Sequence, residues 1–174
     1  MGNCYRTTAI NQSDKMEEEC GVFGLYNPDK SDDLSKLTYL GLHALQHRGQ
    51  ESAGICVNEA NKLKVHKGMG LVSNVFDNKK LEELKGNISI GHVRYSTVGT
   101  ENIDYAQPFE RIHGRKFKWF SFAFNGQLSN YKDLKEKLIK EKNYHFRLDS
   151  DTEVIMHYLS KEISGYKESD FTTT

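Results

Sequence analysis

The chain has 174 residues, 37% of them hydrophobic, which suffices for one domain with its own core. Its 24 Lys and Arg balance 24 Asp and Glu, so charge gives no reason to expect nucleic acid or an anionic membrane as a partner. Cys4, Cys20 and Cys56 show no C-x-x-C spacing and are odd in number, which points to a reducing compartment with neither a disulfide framework nor a zinc site. No apolar run reaches transmembrane length, the N-terminus lacks the apolar core of a secretory signal, and "MGNCYR" places Arg6 where acylation wants a hydroxyl. A cytoplasmic protein is expected.

In chain order, Met1 to Glu19 is polar and without apolar period, and reads as a leader. "GVFGLY" suits a strand that Asn27-Pro28 ends. "DLSKLTYLGLHALQH" spaces Leu34, Leu37, Leu40, Ala44 and Leu45 as the apolar face of a helix. "GICV" and "KLKVHK" read as strands, and "NKKLEELKG" as a short helix closed by Gly86. "NISIGHVR" and "FKWFSFAF" are β-branched and aromatic strands. Two helices follow, "NYKDLKEKLIKEK" behind an Asn130 cap and "DTEVIMHYLSKEI" behind a Ser150–Glu153 capping box. Successive strands without helices between them disfavour a doubly wound parallel sheet and favour layers of helix and sheet. The ending "ESDFTTT" has no closing element and reads as a boundary within a longer protein.

Several motifs have ordinary explanations. His43 and His47 stand one helical turn apart, but the metalloprotease glutamate and a third ligand are lacking, so no metal is expected. The glycines of "KGMGLVS" fit a turn or bulge, and Cys56 a small buried hydrophobe. Cys20, behind "MEEE" and at the front of a strand, is either a small core residue or a nucleophile that becomes residue one. Arg94 ends an apolar strand and opens "YSTVGT". Asn125-Gly126 follows a buried strand but precedes a helix, which favours strand–loop–helix over a hairpin. Asp151 is a first-turn acid of a helix, and Arg48 could stabilise the last carbonyls of another.

Taken in order, "CGVFG", "LQHRGQESAG", "GHVRYSTVGT", "FNGQLSN" and "SDTE" resemble the glutaminase domain of the class II glutamine amidotransferases, which are N-terminal-nucleophile hydrolases. "HRGQESAG" with "RYSTVGT" resembles in particular the branch that makes phosphoribosylamine, the first committed step of purine synthesis. The resemblance runs from Cys20 to about Ile163. It implies an α+β fold of four layers, αββα, with two mainly antiparallel sheets between helical layers. It divides the chain into a leader, 1–19, and a glutaminase domain, 20–174, without the synthase domain.

The resemblance also implies the roles of residues. Once the leader is removed, Cys20 supplies both a thiol and a free α-amine of pKa about 7.7–8.0, a base suited to neutral pH. Family members with propeptides commonly end them in acidic residues, as Glu17 to Glu19 do. The Asn125 side-chain amide and the Gly126 N–H form the oxyanion hole. Arg94 clamps the α-carboxylate of L-glutamine, Asp151 holds its α-ammonium, and Thr97 hydrogen-bonds the substrate from a closing loop. Arg48 takes a supporting role near the nucleophile. Phe124 stands where many relatives carry histidine, so altered packing is expected there.

Paired acids on an apolar strand bind phosphoribosyl pyrophosphate with Mg2+ in the family's second half, whereas Asp32-Asp33 lies in a polar loop. Three cysteines cannot furnish four thiolates, so an iron–sulfur cluster belongs only to the half this chain lacks. The expected partners are L-glutamine and a phosphoribosyltransferase domain of the same enzyme, with a homo-oligomer at full length. Two rivals are a glutaminase domain of another class II enzyme, such as the one making glucosamine 6-phosphate, and a silent assembly module with this fold.

Overall fold

Alternating small, β-branched and aromatic residues build four of the strands. A computed structural model describes residues 20–28, 34–95, 102–115, 118–142 and 144–167. Strand β1 (Gly21–Tyr26) is followed by helix α1 (Leu34–Ala44) and a 3-10 turn at Gln46–Arg48. Strands β2 (Ser52–Glu59) and β3 (Lys62–Met69) form a hairpin, whose turn residues Ala60 and Asn61 both have positive φ as primed hairpin turns require. Short helices α2 (Val72–Val75) and α3 (Asn78–Glu83) lead to β4 (Ile88–Arg94). A second 3-10 turn (Ile103–Tyr105), strands β5 (Phe109–Arg111) and β6 (Phe120–Phe122), and helices α4 (Tyr131–Lys142) and α5 (Asp151–Ser164) complete the chain.

The first sheet is antiparallel in the order β1-β4-β2-β3, and β5 pairs antiparallel with β6 in the second. Registers Gly21↔Val93, Ala53↔Val93 and Ile55↔Gly91 put Ala53, Ile55, Val57 and Val93 on one face. That face meets Leu42 of α1, Val72 and Val75 of α2, and Phe76, Leu81 and Leu84 in the main core. The approach is close: a Cβ on Gly91 would stand 2.7 Å from the Thr38 methyl. The opposite face, carrying Gly54, Cys56 and His92, receives the second sheet. There a Cβ on Gly54 would stand 2.1 Å from the Gln107 carbonyl oxygen, and Lys67 donates to the Ala106 carbonyl at 2.9 Å. Helix α5 packs on β5, and α4 on α5. The layers are therefore helix, sheet, sheet, helix, as the resemblance implies.

Four sequence expectations need correction. Leu37 and Leu40 of α1 are 52% and 60% exposed, and the buried stripe is Leu34, Ser35, Thr38 and Leu42. Two hydroxyls lie in the buried stripe, because each has a partner: Ser35 donates to the Leu81 carbonyl at 2.9 Å and Thr38 to Ser89 Oγ at 2.8 Å. Gly86 does not close α3, which ends at Glu83; it packs against the Asn58 main chain instead. Glu153 completes only half a capping box. Its N–H reaches Ser150 Oγ at 3.2 Å, while its carboxylate accepts from the Arg147 and Leu148 N–H groups at 2.8 and 2.5 Å. Asn130 does precede α4, and its carbonyl accepts from Leu134 N–H at 3.2 Å. The expected strand at "FKWFSFAF" shortens to Phe120–Phe122, and β5 and α2 were not foreseen.

His92 lies between the sheets at 0% exposure, and neither ring nitrogen has a hydrogen-bond partner among the described residues. Burial pushes its pKa down to about 4; the nearby Phe124 main chain opposes the shift without the alignment of a hydrogen bond, and Arg94 adds to it. A depressed pKa means stability that is fully present above the unfolded value and lost as pH falls through the folded one. His92 should therefore cost about 2 kcal/mol of unfolding free energy between about pH 7 and pH 5. Urea titrations at both pH values are expected to show a slope in the parent chain that flattens by that amount in His92→Met. His157, also depressed by burial, contributes alike in both proteins.

Candidate active site

The register of the central strand assembles the site. Gly21 pairs with Val93, so Cys20, one residue earlier, lies beside the end of β4, and its Sγ is 3.9 Å from the Tyr95 carbonyl oxygen. On the other side of β4, Ser52 pairs with Arg94. The alternation of strands puts Cys20, Arg94 and His92 on the face turned toward the second sheet. The site thus opens at one end of the cleft between the two sheets.

Two donors converge on the Cys20 carbonyl. Asn125 Nδ2 donates to it at 2.6 Å and Arg48 Nε at 3.3 Å. Arg48 comes from the 3-10 turn after α1, and Asn125 from the loop after β6. That loop is fastened further along by Asp151 at the start of α5, whose Oδ2 accepts from the Leu128 N–H at 2.9 Å while Oδ1 accepts from Thr152 Oγ1 at 3.3 Å. Gly126 follows Asn125, and a Cβ there would stand 2.8 Å from the Phe124 ring. The Phe124 ring is therefore part of the loop's packing.

Arg94 is half-buried and its Nη1 forms an ion pair with Glu51 Oε2; the guanidinium also lies 5.4 Å from the centre of the Tyr105 ring. Glu51 is itself fixed by its main chain, donating to the Arg94 carbonyl at 3.0 Å and accepting from the Gly70 N–H at 2.7 Å. The sequence reading missed Glu51 and Tyr105. Glu51 stands inside "HRGQESAG", but only strand register shows that it faces Arg94.

The structure brings together Cys20, Arg48, Asn125 and Arg94, with Gly126 next to Asn125 and Asp151 anchoring the same loop. Thr97, the leader 1–19 and Asp32-Asp33 lie outside the described residues. Among the described residues no group of His, Cys, Asp and Glu is arranged to hold a metal. His47 has Nδ1 3.0 Å from the Ala44 carbonyl oxygen. No helix among them is long and apolar enough to cross a membrane. A thiol, two guanidinium groups, an amide donor and a carboxylate around one cleft suit acyl transfer from a small zwitterionic substrate.

Comparison with known proteins fits this chemistry. The family model for the glutamine amidotransferase domain matches residues 77–166, which include Arg94, Asn125, Gly126 and Asp151. The amidophosphoribosyltransferase of Methanothermobacter thermautotrophicus is 46% identical over 149 residues, 85% of this chain and 31% of that protein. Chloroplastic amidophosphoribosyltransferase 3 of Arabidopsis thaliana is 47% identical over 154 residues, 88% of this chain and 28% of that protein. A solved structure of the allosteric regulatory enzyme of purine biosynthesis superimposes with a TM-score of 0.71 at 38% identity, covering 83% of this chain and 32% of the other. The chain spans about a third of the length of the curated relatives it matches.

The two described cysteines differ in a way that alkylation can read. Cys20 is half-buried at the cleft, whereas Cys56 is buried between the sheets and burial pushes its thiol pKa up, with Ser121 opposing the shift. Iodoacetamide at about pH 7.5 is expected to label Cys20 at least about tenfold faster than Cys56 in the folded protein. Peptide mapping should show the two rates converging in concentrated urea.

Proposed function

The chain belongs to the glutamine amidotransferase domain family, and from that premise we propose that it hydrolyses the side-chain amide of L-glutamine through a thioester on Cys20. The ammonia would serve phosphoribosylamine formation, the first step of de novo purine synthesis, in a phosphoribosyltransferase domain of the same enzyme. The observation that carries the reading is the convergence of Asn125 Nδ2 on the Cys20 carbonyl at 2.6 Å, beside an Arg94 that Glu51 holds in place.

Removal of Met1 to Glu19 frees the Cys20 α-amine, which takes the thiol proton. The thiolate attacks the substrate's amide carbon, and negative charge gathers on the amide oxygen. A primary amide has two N–H donors. Asn125 directs one at the Cys20 carbonyl; the other would serve the oxyanion, with the Gly126 N–H as second donor. Each such donor is worth about 2.7–4 kcal/mol of barrier. The protonated amine then gives its proton to the departing nitrogen, and ammonia leaves a γ-glutamyl thioester. Water, deprotonated by the same amine, hydrolyses that thioester to glutamate and restores the thiol.

Arg94 is the group for the substrate α-carboxylate, because a guanidinium carries five N–H donors and Glu51 engages only Nη1. Asp151 and Thr97 would take the α-ammonium and a further polar atom. Hydrolysis on this scheme draws on side chains, the Gly126 N–H and the Cys20 α-amine. Mg2+ with phosphoribosyl pyrophosphate, and any iron–sulfur cluster, would belong to the other domain. A cytoplasmic homo-oligomer completes the proposal for the full-length enzyme.

The test is ammonia release from glutamine by a chain beginning at Cys20. Activity is expected there and absent from the chain that retains Glu19, whose base is tied in a peptide bond. Cys20→Ala should lower the rate by at least roughly 10³-fold; hydrolysis that survives the substitution overturns the thioester mechanism. Glu51→Gln removes a charge-assisted hydrogen bond from Arg94 and should raise the KM for glutamine about tenfold with kcat within about threefold.

A further inference from the structure

Gln107 is 6% exposed, and a buried primary amide needs partners for both its donor and its acceptor. It finds both on one residue. Phe124 N–H donates to Gln107 Oε1 at 2.7 Å, and Gln107 Nε2 donates to the Phe124 carbonyl at 3.2 Å. These are the two bonds that a residue on a neighbouring antiparallel strand makes with its main chain.

The position explains the substitution of side chain for main chain. Strands β5 and β6 pair in the register Phe109↔Phe122, so the next pair of the same kind, two residues on, is Gln107 with Phe124. The Gln107 main chain is occupied elsewhere, because its carbonyl is packed against Gly54 of β2, leaving no room for a Cβ there. The side chain then supplies the missing rung of the ladder. Gln107 is thereby fixed to the four-stranded sheet, which carries Cys20 and Arg94, and grips the loop whose next residue is Asn125.

We propose, resting on the amidotransferase reading, that Gln107 is a positioning residue of the glutaminase site. Its amide sets the Phe124 main chain, and through it the Asn125 amide and the Gly126 N–H, at the place where the oxyanion forms. Gln107 touches no substrate. Its loss weakens stabilisation of developing charge rather than glutamine binding or the nucleophile.

Gln107→Met keeps the volume and removes both hydrogen-bonding groups. In a chain beginning at Cys20 it is expected to lower kcat about 10- to 100-fold, with the KM for glutamine within about threefold. Binding of the γ-aldehyde of glutamate, whose thiohemiacetal oxygen occupies the same hole, should weaken in proportion to kcat/KM. Iodoacetamide alkylation of Cys20, which forms no oxyanion, should stay within about twofold. A kcat loss below threefold, or equal losses in alkylation and KM, overturns the proposal.

Gln107→Glu supplies an independent readout should Gln107→Met fail to fold. A protonated carboxyl presents one donor and one acceptor as the amide does, whereas a carboxylate faces the Phe124 carbonyl with a second acceptor. The ratio of Gln107→Glu to parent activity should rise as pH falls from about 8 to about 5.5; a flat ratio overturns the assignment. Should the parent itself not hydrolyse glutamine, the amidotransferase reading fails, and hydrogen exchange still decides the positional claim. Exchange at the Phe124 amide should accelerate at least about tenfold in either variant while Phe122 stays protected, and unchanged exchange at Phe124 refutes it.

Discussion

The pairing of β4 with its two neighbours is the constraint on which the site depends. Strand β4 is central, and it sets Cys20 and Arg94 next to each other by pairing Gly21 with Val93 on one side and Ser52 with Arg94 on the other. A slip of one residue in either ladder would turn a whole strand over. It would carry Cys20 or Arg94 to the helix-covered face and bury a thiol or a cation in the core of Leu42, Ile55 and Val93. That core therefore specifies the site indirectly. Val93, Ala53 and Ile55 must face α1, and the residues that alternate with them must face the cleft.

The parts of this that are legible in the sequence are those set locally. Strands β1, β2 and β4 announce themselves by apolar, β-branched and aromatic runs, β3 by the alternation of Leu63 and Val65 with lysines, α4 by its polar helical pattern, and α5 by the Ser150 cap. The phase of α1 was not legible, because Ser35 and Thr38 are buried on the strength of hydroxyl partners contributed by Leu81 and Ser89, far along the chain. Strand β5 is only three residues long and carries a charge at each of its last two positions, so no period shows. The candidate site divides in the same way. Cys20, Arg94, Asn125 and Asp151 were found through family wording that repeats as intact blocks. Glu51 and Gln107 stayed hidden, since each acts through a partner at a sequence distance of 43 and 17 residues.

The groups proposed to recognise glutamine each already have a partner within the protein. Arg94 meets Glu51, Asp151 accepts from Leu128, and Asn125 donates to Cys20. Such second contacts fix side-chain rotamers before substrate arrives, so binding need not supply the ordering entropy of long side chains. They also impose a limit. The donors and acceptors left for substrate must be the remaining edges of the same groups, which fits multivalent side chains such as guanidinium, primary amide and carboxylate better than monovalent ones.

The two sheets carry complementary halves of the site, so their relative placement sets its geometry. The nucleophile and Arg94 belong to the four-stranded sheet, and Asn125 and Gly126 to the loop leaving the two-stranded one. Hydrophobic packing between sheets is non-directional and tolerates small sliding. Directional contacts are needed to fix the offset, and they cluster at this end of the cleft: Lys67 to the Ala106 carbonyl and Asn125 to Cys20, with Gln107 to Phe124 tying the two flanks of the second sheet together. A sub-ångström displacement of the second sheet would leave the buried area almost unchanged, yet it would move the Asn125 donor relative to Cys20 Sγ. Catalysis is more sensitive than stability to that motion. The polar contacts across the sheets are therefore better explained by the geometry they impose on the site than by any contribution to holding the layers together.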